Sequence, residues 1–202
     1  MISLSKKEIL KKFQKAGAIQ KGHFELTSGV HSNTYIQCAQ VMQYPEFMDN
    51  LCSELGKKFR GDDVDVIVGP AVGAIIIGHV MARILGPWVK AIFTERENGI
   101  MTLRRSFKIN KGEKVLVVED VTTTGSSVRE IIDIVKERQG KVVGVGALID
   151  RSGGKIDFGV KYERLATVEM KTYNPENCPL CKRGITAMST KESRSLERIL
   201  ES

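Results

Sequence analysis

Apolar positions along this chain follow two periods, and the two alternate. In "KKEILKKFQKA" (Lys6–Ala16), Ile9, Leu10 and Phe13 share one face at helical spacing, with Lys6, Lys7, Lys11, Lys12 and Lys15 on the other. In Pro45–Phe59, Phe47, Leu51, Leu55 and Phe59 recur every fourth residue, which predicts a second helix. "VDVIVG" (Val64–Gly69) is a β-branched run and predicts a strand; a glycine-bearing turn, "GPAVGA", and an apolar helix to about Leu85 follow it. "WVKAIFTE" (Trp88–Glu95), "KVLVVED" (Lys114–Asp120) and "KVVGVGALID" (Lys141–Asp150) predict three more strands. "VREIIDIVKER" (Val128–Arg138) predicts a helix closing near Gly140, a residue suited to a helix C-terminus. Nearly continuous apolar strands separated by helices imply an α/β fold, a doubly wound, mainly parallel sheet covered on both faces.

Composition narrows this picture only a little. The chain has 202 residues, enough for one domain; 42% are hydrophobic and 27% charged, as in ordinary globular proteins. No apolar run approaches the roughly 20 residues of a membrane span. The basic N-terminus lacks the apolar core of a signal peptide, so a cytoplasmic location without a membrane partner is expected. A net charge of +7 suits either nucleic acid or an anionic small molecule. No long basic run with interleaved aromatics is present, which favours the small molecule over a nucleic-acid partner. Cys38 and Cys52 lie in apolar contexts and read as ordinary thiols. Cys178 and Cys181 form "CPLC", half the ligand set of a structural zinc site, and no second CxxC exists. A local turn is the expectation, with a metal shared across a dimer or a redox pair as alternatives. His23, His31 and His79 show no metal or triad spacing in the sequence, and a structural role is expected for His31.

The stretch "VEDVTTTGSS" (Val118–Ser127) carries the chemistry. It leaves a strand through Glu119 and Asp120 and opens a helix. Ligands of such sheets bind beyond the carboxyl ends of the strands. Free amides and the dipole of a helix N-terminus favour an anion, and Gly125 lets the backbone come close. Thr122, Thr123, Thr124 and Ser126 add hydroxyls, so the stretch reads as a phosphate cradle. The Gly-Lys-[Ser/Thr] ending of a nucleotide-triphosphate loop is missing. Two carboxylates just upstream can accept hydrogen bonds from a sugar diol, directly or through a metal. Phosphate and diol together describe a ribose 5-phosphate.

"VLVVEDVTTTGSS" resembles the phosphoribosyl-diphosphate signature of the type I phosphoribosyltransferases. The chain as a whole is most similar to the orotate phosphoribosyltransferases. "FELTSGVHSNTYI" (Phe24–Ile36) resembles their base-binding segment, "GPAVGA" their diphosphate loop, and "LIDRSGG" (Leu148–Gly154) the segment whose arginine holds the orotate carboxylate. "CPLCKRGI" resembles the C-terminal part of one branch. The likeness runs from about Lys6 to Ile185.

The resemblance implies a single domain over 1–202, with a core of about 45–165, a base-binding hood of about 1–44 and 166–186, and a polar tail over 187–202 with a short amphipathic piece. It implies transfer of ribose 5-phosphate from 5-phosphoribosyl 1-diphosphate to orotate, with Mg²⁺ carried by the donor, in a homodimer with shared active sites. Glu119 and Asp120 are expected to bind the ribose. Val121, Thr122, Thr123, Thr124, Gly125, Ser126 and Ser127 are expected to hold the 5-phosphate, and Ala71, Val72 and Gly73 the diphosphate. Some relatives carry a lysine where this chain has Gly73. Thr123, Arg151, Ser28 and Tyr35 are expected at the base. Asp150 is expected to shape the turn before Arg151. Glu95–Lys108 is expected to be a mobile loop that delivers Arg96, Arg104 and Arg105 to the neighbouring subunit, Arg96 being the best match to a donor-binding lysine. The alternatives are a purine phosphoribosyltransferase, or a regulatory protein of the same fold that senses the donor or binds RNA.

Overall fold

The computed structural model describes residues 4–190. The amphipathic piece Ser195–Ser202 lies outside them. In chain order the elements are α1 (Lys6–Lys15), β1 (Ile19–Glu25), β2 (His31–Ile36), α2 (Ala39–Met42), α3 (Pro45–Lys57), β3 (Val66–Pro70), α4 (Gly73–Leu85), β4 (Lys90–Glu97), β5 (Ile100–Leu103), β6 (Lys114–Thr122), α5 (Ser126–Glu137), β7 (Lys141–Asp150), β8 (Tyr162–Thr167), β9 (Thr172–Tyr173) and β10 (Met188–Ser189), with two short 3₁₀ turns at Pro175–Asn177 and Cys181–Arg183.

Six strands form the main sheet in the order β5-β4-β3-β6-β7-β8. All neighbours are parallel except β4 and β5, which form an antiparallel hairpin. Period-two alternation in β6 explains how this sheet is covered on both sides. Leu116 and Val118 face one core with Ile67, Leu148 and the helices α3 and α4. Val115 and Val117 face the other with Val66, Val68, Val145 and α5. All four of these β6 residues are fully buried. Burial of each contributes about 1.5–3 kcal/mol. The doubly wound reading is therefore correct for this sheet.

The chain starts this sheet at β3, moves outward to β4, then crosses back to β6 on the other side of β3. The crevice beyond the carboxyl ends of β3 and β6 is thus a topological switch point, where ligands bind in open α/β sheets. "GPAVGA" leaves β3 there and "EDVTTTGSS" leaves β6.

A second, four-stranded sheet has the order β10-β1-β2-β9. It is the hood, and its make-up differs from the sequence expectation at both ends. Helix α1 is not part of it: Ile9 and Phe13 are buried in the main core, where α1 packs on β8 and α2. That helix is fixed by a capping box, in which Ser5 and Glu8 satisfy each other's backbone amides. At the other end, Met188 and Ser189 belong to the hood rather than to a polar tail, pairing in parallel with Phe24 and Glu25. Gly140 also has a different role from the one expected. The left-handed residue after α5 is Gln139, at φ 59°. Gly140 is needed for space, since a Cβ there would sit 2.9 Å from both Ile109 and Val135.

Candidate active site

Helix α5 begins at Gly125, whose φ of 77° lies in the left-handed region. A side chain there is excluded twice, since a Cβ would also lie 2.7 Å from the Phe158 ring. The first i→i−4 bond of the helix runs from the Arg129 amide to the Gly125 carbonyl, so the amides before it lie outside the helical ladder, and that of Ser126 donates to the Thr124 hydroxyl at 3.4 Å. A hollow here, ≈ 40 Å³, is lined by Glu119, Val121 and residues 122–128. Ser126 and Thr124 are exposed and 3.3 Å apart through their hydroxyls. Thr123 is exposed as well. Thr122 differs from the sequence expectation. Its hydroxyl is buried and bonded to the Tyr162 hydroxyl at 2.5 Å, so its side chain is committed to the fold. A larger hollow of ≈ 260 Å³, between Lys6, Lys57, Lys58 and Arg164, contains none of the predicted site residues.

The two acids differ in setting. Glu119 is buried, and burial together with the adjacent Asp120 carboxylate pushes its pKa well above the ordinary 4.5. Asp120 accepts a hydrogen bond from the Val121 amide at 2.7 Å. Across the switch point it meets Gly73, where an added Cβ would lie 2.6 Å from its Oδ2. Gly73 thus lets the first turn of α4 pack directly on the Asp120 carboxylate. Ala71, at the same turn, donates its amide to the Thr94 carbonyl at 2.7 Å, and Val72 is exposed.

Arg151 follows β7. In the β6–β7 register Thr122 stands opposite Asp150, and the Arg151 amide donates to the Thr122 carbonyl at 2.8 Å. Asp150 organises the turn: its carboxylate accepts from the Ser152 amide, the Ser152 hydroxyl and the Gly154 amide at 2.6–2.9 Å. The Arg151 guanidinium is half-buried, and its buried Nε has no hydrogen-bond partner. Burial lowers its pKa, opposed by Tyr35 and Cys38. Among the described residues it forms no salt bridge with a carboxylate. Tyr35 reaches this place from β2, where its ring packs 5.6 Å from Phe24. Ser28 stands exposed at the tip of the β1–β2 hairpin.

The predicted mobile loop Glu95–Lys108 is largely a β-hairpin. β4 and β5 pair from Thr94↔Leu103 to Glu97↔Ile100, and Asn98-Gly99 turns between them with both residues at positive φ. Its arginines are already paired. Arg96 makes a two-pronged contact with Glu130 of α5 at 2.7 and 3.1 Å, and Arg105 one with Glu95 at 2.9 Å on each arm. Arg104 stands 3.5 Å from Glu97. Arg96 therefore leans on the first turns of its own chain's cradle helix.

One further group was only half visible in the spacing, which marked Cys178 and Cys181 and neither histidine. His23, His31, Cys178 and Cys181 converge, their ligand atoms all within 4.8 Å of one another.

Residues 43–169 match the phosphoribosyl transferase domain family. The chain is 54% identical over 185 residues to the orotate phosphoribosyltransferase of Desulforamulus reducens, covering 92% of this chain and 96% of that protein. The chain belongs to the orotate phosphoribosyltransferase family. The family member of Pelotomaculum thermopropionicum is likewise 54% identical over the same shares. Among solved structures, the Mycobacterium tuberculosis orotate phosphoribosyltransferase superposes with a TM-score of 0.66 at 20% identity, over 81% of this chain and 96% of that one. At that identity the likeness speaks for the fold alone. The same bacterial enzyme has been solved with 5-phospho-α-D-ribosyl 1-diphosphate, with a TM-score of 0.56 at 21% identity over 66% of this chain and 80% of that one.

Proposed function

We infer that the chain transfers ribose 5-phosphate from 5-phosphoribosyl 1-diphosphate to orotate, giving orotidine 5′-phosphate and diphosphate. The observation that carries the reading is Arg151. A half-buried guanidinium with an unpartnered Nε, beside the cradle strand, is ready for a planar anion. The orotate carboxylate is such an anion. A purine has none, so the purine alternative leaves Arg151 uncompensated.

In this reading the amides opening α5 and the hydroxyls of Thr124 and Ser126 hold the 5-phosphate. Glu119 and Asp120 face the ribose hydroxyls. The turn after β3 receives the diphosphate through its backbone. A ring nitrogen of orotate forms its bond to the ribose anomeric carbon as the bond from that carbon to the diphosphate oxygen breaks. Positive charge builds on the sugar and negative charge on the departing diphosphate, so no covalent protein nucleophile is required. Positioning and charge stabilisation supply the rate. Mg²⁺ bound with the donor supplies charge neutralisation on the diphosphate. Glu119 and Asp120 are hard oxygen ligands at the switch point and fit that ion directly or through water. Arg104 and Arg105, on the surface, exchange Glu97 and Glu95 for diphosphate when donor arrives, either in their own site or in that of a second copy. Both substrates are anions that do not cross membranes unaided, so we place the reaction in the cytoplasm. Exposed apolar side chains at the starts of α3 and α4 (Tyr44, Val72 and Ile76) favour a homodimer.

Diphosphate release by the purified chain tests this reading. Release is expected only when donor, Mg²⁺ and orotate are all present. Equal release with adenine or hypoxanthine, or none with orotate, would overturn it.

A further inference from the structure

We propose that His23, His31, Cys178 and Cys181 form a structural zinc site that clips the hood together. The four residues come from three separate parts of the chain. His23 sits in β1 where the β1–β2 register shifts between Lys21 and Phe24. His31 opens β2 opposite Glu25, which puts it diagonally across from His23 on one face of the hairpin. Cys178 caps the end of the first 3₁₀ turn and Cys181 opens the second. His23, His31 and Cys178 are buried, and Cys181 is exposed.

The distances suit a tetrahedral ion. With Zn–N of about 2.0–2.1 Å and Zn–S of about 2.3 Å, tetrahedral angles put nitrogen and sulfur about 3.5 Å apart and two nitrogens about 3.3 Å apart. Here Cys178 Sγ lies 3.4 Å and Cys181 Sγ 3.8 Å from His23 Nε2, and Cys181 Sγ lies 3.3 Å from His31 Nδ1. The two imidazole nitrogens are 2.8 Å apart and open by about half an ångström around an ion.

The protons of the cluster argue for the ion independently. His23 Nδ1 lies 2.7 Å from the Ile185 carbonyl, which only accepts, so Nδ1 carries the hydrogen. In the neutral ring His23 Nε2 is then a single lone pair turned into the cluster. Three groups converge on it: His31 Nδ1 and both thiols. One lone pair cannot accept from all three. If His31 takes the other tautomer, two nitrogen lone pairs face each other at 2.8 Å. A cation resolves either case. The Ile185 carbonyl is also the outer-shell acceptor that fixes a ligating histidine. On binding, the two thiols release their protons to solvent, and two thiolates neutralise the divalent charge. Four protein ligands leave no open position, so the site is structural rather than catalytic, and two sulfurs with two nitrogens select zinc.

The hood has reason to need such a clip. Neither large apolar core includes any residue of 20–35 or 171–190. The outer strands β9 and β10 pair over only two residues each. Small sheets without a core of their own are commonly held by a metal or a disulfide.

The test is elemental analysis and cobalt substitution on the full chain, expressed in zinc-containing medium and purified without chelator. About one zinc per chain is expected, falling below about a tenth in Cys178→Ser and in Cys181→Ser. Cysteine variants that do not fold leave the cobalt experiment decisive, because it uses wild-type protein. Zinc-stripped chain titrated with Co²⁺ should develop thiolate-to-metal charge transfer and the intense d–d bands of a tetrahedral site, saturating at one equivalent. Wild-type chain that takes up neither Zn²⁺ nor Co²⁺ overturns the proposal. So does full metal content in a folded cysteine variant, or an intact mass showing Cys178 and Cys181 joined as a disulfide.

Discussion

Arg151 gives the sharpest expectation at the scale of single residues. Charge-assisted hydrogen bonds contribute roughly 1.5–3 kcal/mol, so we predict that Arg151→Ala raises the orotate KM about tenfold or more. The donor KM should change little, because the cradle is untouched. Steady-state kinetics with orotate and uracil check this; equal damage to both bases would make the arginine structural. Gly73 gives a second expectation. Gly73→Ala adds a methyl 2.6 Å from the Asp120 carboxylate, so it should lower kcat/KM for donor while sparing Arg151. Unchanged donor kinetics would show that Asp120 can move freely. Glu119 gives a third, through pH. Its folded pKa lies above the unfolded value, so its contribution to stability is complete below about 4.5 and is lost as pH rises toward the folded value. Glu119→Gln removes that loss. The melting temperature of the variant relative to wild type should therefore climb between pH 4.5 and neutrality, as differential scanning fluorimetry in apo protein can follow. The placement of "EDVTTTGSS" was legible in sequence, because an apolar run before it and a helical period after it set it at a strand end that opens a helix. The settings of its residues were not. Nothing in the sequence turns the Thr122 hydroxyl toward Tyr162, since that contact spans 40 residues.

At the scale of elements, sequence periodicity located the core helices and the parallel strands β3, β4, β6 and β7, because each buries a regular apolar face; it missed β8, where only Leu165 and Ala166 are buried. It did less well with polar elements. The β4–β5 hairpin was hidden by its charged, exposed residues, although Asn98-Gly99 is a strong hairpin turn. The hood strands were hidden too: β1 is interrupted by a register shift and exposes Gln20, Lys21 and Gly22 in succession. Pairing within the hairpin makes a prediction. Arg105 and Glu95 form an exposed pair, so Arg105→Ala should leave the melting temperature within error of wild type. A clear fall in kcat with folding intact would assign Arg105 to the diphosphate; no change would leave it a surface partner of Glu95. Helix α5 behaves differently, since Val128, Ile131 and Val135 anchor it under the cradle. Ile131→Ala should cost about 2–5 kcal/mol in denaturant unfolding. It should weaken donor binding as well, because the amides it positions begin five residues upstream.

For the molecule as a whole, shared sites make a prediction about mixtures of inactive chains. Mixing Asp120→Asn chains with Arg104→Ala/Arg105→Ala chains should restore activity if a hybrid dimer reconstitutes one intact site. If the mixture stays as inactive as its parents, each chain uses its own arginines, as Arg96 beside Glu130 already suggests for that residue. The pairing of β10 with β1 has a consequence for how the protein is made. Phe24 cannot meet Met188 until 164 further residues have been synthesised (188 − 24). At translation rates of about 5–20 residues per second, β1 waits roughly 10–30 s with that edge bare. The central sheet, complete by Thr167, can form during that wait, whereas the sheet that carries Tyr35 and Ser28 cannot close. A growing chain would then hold a finished place for a phosphorylated sugar before it holds one for a base, and the late-made strand β10 decides when the two are joined.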